Sequence, residues 1–91
     1  MHVDGRVVVV TTEADGLWRQ GFGSVETAAR ICSILADYWR ESRLAIVNTE
    51  IELQGLIEDP PALVFSGINY LPGGAKTWIS QALADAGINY T

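Results

Sequence analysis

The sequence predicts an α/β protein, an open sheet of four parallel strands with flanking helices. Val7-Val8-Val9-Val10 and Ala62-Leu63-Val64-Phe65 are short apolar runs without polar alternation, the pattern of strands buried on both faces. Between and after them, apolar residues recur at three- and four-residue steps, the period of an amphipathic helix. The second run breaks into Ser66-Gly67-Ile68-Asn69-Tyr70-Leu71-Pro72-Gly73-Gly74. That is a glycine-rich loop at the carboxyl end of a strand, where open α/β sheets hold ligands.

Taken in order, residues 6–12 read as the first strand, and residues 13–23 as a loop with glycines at 16, 21 and 23. Ser24 suits the N-cap of a helix running to about residues 40–42, with Ala28, Ile31, Cys32, Leu35, Tyr38 and Trp39 as its apolar stripe. Glu26 and Arg30 stand four apart on the other side and can pair weakly. Residues 44–48 form a second short strand. Residues 49–58 admit two readings. Val47, Thr49, Ile51 and Leu53 alternate like a strand, but Thr49-Glu50-Ile51-Glu52 matches a capping box and Ile51, Leu53, Leu56 and Ile57 can share a helical face. The helical reading, 50–58, is adopted, ended by Asp59-Pro60-Pro61 because proline disfavours helical geometry before it. A third strand over 62–65 follows, then a helix over about 74–86 with Trp78, Ile79, Ala82, Leu83 and Ala86 on one face. Gly87 stops it, and residues 88–91 make a fourth strand. The result is a small Rossmann-like open sheet with right-handed crossovers. A strand at 49–58 would instead give a ferredoxin-like βαββαβ sandwich.

Ninety-one residues make a single domain, residues 1–91, with 48% hydrophobic residues and a net charge of −5. The acidic balance and six scattered basic residues argue against nucleic-acid and anionic-membrane surfaces. One cysteine, Cys32, allows no internal disulfide, and its apolar helical setting reads as a small buried hydrophobe. No signal peptide or membrane span is present in the pattern, so a cytoplasmic protein is expected. His2 is the sole histidine, so no Ser-His-Asp or Cys-His arrangement forms and no catalytic residue is assigned. Glu50, Glu52, Glu58 and Asp59 read as a solvated acidic face, and no metal ligand is assigned.

Two glycine motifs fall short of nucleotide sites. Gly73-Gly74-Ala75-Lys76-Thr77 interposes Ala75 between glycine and lysine, unlike a phosphate loop. Gly21-Phe22-Gly23 places Glu26 where a dinucleotide fingerprint needs its third glycine. Gly73, Gly74 and Lys76 at a helix start can still contact an anion; alternatively they serve only the turn. Glu13, Asp15, Trp18 and Arg19 lie at the carboxyl end of the first strand. In a parallel sheet that edge also holds the Ser66–Tyr70 loop. An ammonium can meet Glu13 and a carboxylate can meet Arg19 in a bidentate pair.

Leu63-Val64-Phe65, then Ser-Gly-Ile-Asn-Tyr, a glycine pair, a helix and Gly87-Ile88-Asn89-Tyr90-Thr91 together resemble the amino-terminal domain of the D-alanine–D-alanine ligase branch of the ATP-grasp enzymes. The Val-rich first strand, long first helix and short capped helix before Pro60-Pro61 fall in the same order. The chain departs from the family where Ser66 replaces its histidine, Gly74-Ala75-Lys76 its acidic pair, and Asn89 a proline. The resemblance implies a pre-ATP-grasp domain, the substrate-side lobe of a ligase that is not catalytic alone. It implies a small amino-acid-like ligand whose ammonium meets Glu13 or Glu26, in a pocket lined by Ser66, Gly67, Asn69 and Tyr70. ATP and magnesium would be held not by this chain but by lobes that in the family follow the closing motif. Three tryptophans in so short a chain add an expectation of self-association or of contact with such a following region. The rival readings are a ferredoxin-like ligand-sensing or dimerisation module and a flavodoxin-like nucleotide-binding protein.

Overall fold

The computed structural model describes residues 3–13, 24–71 and 77–91. Eight elements follow in order: β1 (Val3–Thr11), α1 (Val25–Leu35), β2 (Trp39–Ile46), α2 (Glu50–Glu58), β3 (Leu63–Ser66), β4 (Tyr70–Leu71), β5 (Thr77–Trp78) and α3 (Ile79–Asp85). A three-stranded sheet runs in the order β2-β1-β3, and β1 pairs in parallel with both neighbours. The class is therefore α/β with a parallel sheet and flanking helices. The helix at 50–58 removes the ferredoxin-like alternative, which needed a strand there.

The central position of β1 explains its sequence. Val7, Val8, Val9 and Val10 are all buried. Val8 and Val10 join one core cluster with Val47, Leu53, Val64, Ile68, Leu71, Ile79, Leu83 and Ile88, so α2 and α3 cover that face. Val7 and Val9 point the other way by the period of a strand. There α1, with Ala28 fully buried, packs on β1 and β2. The path from β1 to β2 steps outward, and the path from β2 to β3 crosses back past β1. Right-handed crossovers then put α1 and α2 on opposite faces.

Local signals hold at several ends. Ser24 Oγ accepts from the Thr27 amide at 3.2 Å and starts α1. Thr49 Oγ1 accepts from the Glu52 amide at 3.3 Å, and Glu52 Oε1 returns to accept from the Asn48 amide at 3.2 Å, the capping box shifted by one residue. Past α3, the Gly87 amide donates to Ala84 and the Ile88 amide to Leu83, with Gly87 at φ +74°, a Schellman ending.

Five expectations are corrected. The first helix ends at Leu35 rather than at 40–42, because 3₁₀-type bonds from Asp37 to Ile34 and from Tyr38 to Leu35 close it. Tyr38 is then exposed rather than part of a helical stripe, and Trp39 begins β2. β1 starts at Val3, three residues earlier than read. It carries a register irregularity between Val3 and Arg6, where Gly5 adopts φ +111°, and its length gives β2 a partner as far back as Trp39. The third helix starts at Ile79, not near residue 74; Tyr70 and Leu71 instead pair antiparallel with Trp78 and Thr77. Finally, the sheet has three strands rather than four. Residues 89–91 run alongside β3 through bonds from Val64 to Asn89, Ser66 to Thr91 and Thr91 to Val64, but form only an isolated parallel bridge between Val64 and Tyr90. Cys32 is half-buried rather than buried, with its Sγ 3.2 Å from Ser42 Oγ. Among the described residues, no helix is long and apolar enough to cross a membrane.

Two stability outcomes follow from this packing. Leu83→Ala removes a fully buried side chain and is expected to cost about 2–5 kcal/mol, whereas Ile51→Ala, 84% exposed, stays within about 0.5 kcal/mol. Urea midpoints at constant m-value report both. Gly87→Ala forces a Cβ into the left-handed region and is expected to cost about 1–2 kcal/mol by the same measurement, although open space surrounds the position.

Candidate functional site

The carboxyl ends of the three strands meet at one rim, held by specific bonds. Thr11 and Thr12 close β1 in full burial. Asn48, just past β2, accepts on Oδ1 from Thr12 Oγ1 at 2.7 Å and from the Glu13 amide at 2.8 Å. Because its own amide reaches Glu52, Asn48 joins the ends of β1 and β2 to the start of α2. At the end of β3 the Gly67 amide donates to Val10 at 2.8 Å, and the Ser66 amide donates to Thr91 at 3.0 Å. Ser66 Oγ donates to the Ile68 carbonyl at 2.8 Å, which folds the loop back on itself. The Ile79 amide donates to the Asn69 carbonyl at 2.9 Å and docks the start of α3 on that loop.

These bonds leave a cavity of about 320 Å³ between the loop after β3, the start of α3 and the terminal segment. Ser66, Ile68 and Asn69 form one wall, Trp78 and Ser80 the second, Tyr90 and Thr91 the third. Trp78 is half-exposed, and its ring centroid lies 5.4 Å from that of Tyr70 at 59°, a tilted aromatic pair. A second hollow, about 190 Å³, lies at the other end of the sheet between Arg6, Arg43, Leu44, Gly55 and Asp59.

Of the residues singled out by sequence, Ser66 and Asn69 line the cavity. Gly67 is buried at the β1–β3 junction, and Tyr70 stands behind Trp78. Glu13 is exposed at the end of β1, where its amide is tied to Asn48. Glu26 is not brought to the cavity: it lies in the first turn of α1 and pairs with Arg30 at 3.3 Å, both side chains exposed. Asp15, Trp18, Arg19, Gly73, Gly74 and Lys76 lie outside the described residues. Among the described residues, no group of three or more His, Cys, Asp or Glu side chains could hold a metal ion.

Sequence reasoning missed Asn48, Trp78, Ser80, Tyr90 and Thr91 as site residues. Asn48 had a signal, a polar residue between an apolar strand and a capping box. Tyr90 and Thr91 belong to the closing motif but were read only as strand. Comparisons with protein-family models, curated proteins and solved structures find no match to this chain.

Asn48→Ala removes the oxygen that accepts from the Thr12 hydroxyl and the Glu13 amide, and is expected to destabilise by about 1–3 kcal/mol. Faster hydrogen exchange at the Glu13 amide should accompany the lower urea midpoint. Asn48→Asp keeps an acceptor oxygen and should lose less.

Proposed function

We propose that this chain is the substrate-side lobe of an ATP-dependent ligase resembling the D-alanine–D-alanine ligase group, and that it holds a small amino-acid-like ligand in the cavity at the carboxyl end of β3. The observation that carries the reading is the meeting of the Ser66–Asn69 loop with Tyr90 and Thr91 around one cavity. Those are the two segments whose sequence bears the resemblance, and a parallel sheet gathers them at the edge where such sheets bind ligands. The three-stranded parallel sheet between helices supports a Rossmann-like reading, with residues 89–91 bonded alongside β3. Glu13, at the same rim, is the better placed of the two glutamates for an ammonium. On this reading the chain binds and orients, while ATP and magnesium belong to lobes outside it.

The large apolar side chains left exposed, Val3, Ile34, Tyr38 and Trp78 among them, support contact with a second copy or with a following ATP-grasp region.

The test is a titration of the ¹⁵N-labelled chain with D-alanyl-D-alanine. Amide signals of residues 66–69 and 90–91 should shift, and Asn69→Ala should weaken binding about tenfold, roughly 1.4 kcal/mol. ATP turnover by the chain with D-alanine should be absent. Unmoved signals at those residues, or turnover by the chain alone, would overturn the proposal.

A further inference from the structure

β2 is an edge of the three-stranded sheet: among the described residues it pairs with β1 alone. It runs Trp39-Arg40-Glu41-Ser42-Arg43-Leu44-Ala45-Ile46, half-buried or exposed throughout. From Glu41 to Ile46 its register against β1 is unbroken. It holds neither proline nor lysine, two residues that blunt sheet edges. One bond fixes the direction of its backbone groups. The Val47 amide donates to the Thr11 carbonyl at 2.8 Å, so residues 41, 43, 45 and 47 turn theirs toward β1. Ser42 and Leu44 then turn both N–H and C=O outward. The Arg40 carbonyl, opposed to the Glu41 amide across one trans peptide, points outward too.

We infer that this edge pairs with a second copy of the chain, antiparallel about a two-fold axis at Ser42, joining two sheets into one. A strand meets its own copy only where outward backbone groups face each other, so even-numbered residues must oppose even-numbered ones. That leaves few registers, and charge separates them. An axis at Glu41 or at Arg43 sets that residue against its own like charge. An axis at Leu44 sets Arg43 opposite Ala45 and pairs no charges. An axis at Ser42 sets Glu41 of each copy opposite Arg43 of the other, and directly opposed opposite charges stabilise a sheet. Both residues share the face that carries Arg6 and Val8, their partners in β1, and Arg43 Nε already lies beside Glu41 Oε2 within one chain. The dimer therefore assembles alternating charges across the axis. The same axis sets Trp39 opposite Ala45, a large residue against a small one. It also sets Tyr38, exposed just before the strand, opposite Ile46. Ser42 exchanges both backbone bonds with its own copy, and the Leu44 amide meets the Arg40 carbonyl. This edge lies away from β3 and the cavity, so the inference stands apart from the ligand reading.

Sedimentation equilibrium, combined with amide exchange by NMR, tests it. A monomer–dimer equilibrium is expected, with the Ser42 and Leu44 amides exchanging more slowly as concentration rises. Glu41→Arg and Arg43→Glu each set like charges opposite one another, and each should weaken self-association at least about tenfold. An equimolar mixture of the two variants should regain association, because every basic residue of one then faces an acidic residue of the other. Mixing does not repair a variant that has merely lost its fold. A monomer even at millimolar concentration, dimerisation unchanged in both variants, or a mixture no tighter than either variant alone would overturn the inference. Slow exchange of Ser42 and Leu44 in the monomer at every concentration would overturn it as well, since the chain would then cover its own edge. None of these outcomes bears on ligand binding in the cavity.

Discussion

Burial of β1 on both faces is the constraint on which the rest depends. Four consecutive valines cannot be shielded by a sheet with one wet face, because alternate side chains point to opposite sides. Each fully buried valine contributes roughly 1.5–3 kcal/mol, and losing either cover would expose half of them. The chain meets this by placing β1 between two parallel partners and by sending α1 to one face and α2 and α3 to the other. Parallel pairing in turn requires long crossover connections, which is why a helix separates each strand of the sheet from the next.

That same geometry creates the site. Parallel strands end at a common edge, and their last backbone groups need partners that the ladder no longer supplies. Asn48 satisfies the end of β1, Gly67 bonds across to Val10, and the terminal segment bonds to Ser66. These bonds are structural, yet they hold the walls of the cavity at fixed spacing. Ser66 shows the dual use: its amide pins the terminal segment, its hydroxyl shapes the loop, and its oxygen remains on the cavity wall.

Charge is distributed differently at the two ends of the sheet. At the amino end, Arg6 donates to the Asp59 carbonyl at 2.7 Å and lies near the carboxylates of Asp59 and Glu41, tying β1 to β2 and to the close of α2. Arg40 and Asp4 pair there as well, at 2.9 Å. Such exposed pairs contribute little stability individually. The described side chains that line the cavity at the carboxyl end are hydroxyl, carboxamide and apolar groups.

The sequence by itself determined the α/β class, the two-sided burial of residues 7–10, the helix at 50–58 with its Thr49 cap, and the glycine ending at Gly87. Each of these rests on local chemistry: apolar runs without alternation, a side-chain oxygen near free amides, and a residue able to adopt positive φ. Only the tertiary structure decided where α1 stops, since residues 36–42 have no strong breaker; 36–38 form a turn and 39–42 become strand because β1 is long enough to pair with them. It also decided that Tyr70 and Trp78 face each other across a short antiparallel pair, which put Trp78 on the cavity wall instead of in a helix. Ser66 and Asn69 were visible as loop residues at a strand end, but Tyr90 and Thr91 join them through pairing between segments more than twenty residues apart. Glu26, a candidate only through the family resemblance, lies in the first turn of α1 and pairs with Arg30, as the four-residue spacing predicts.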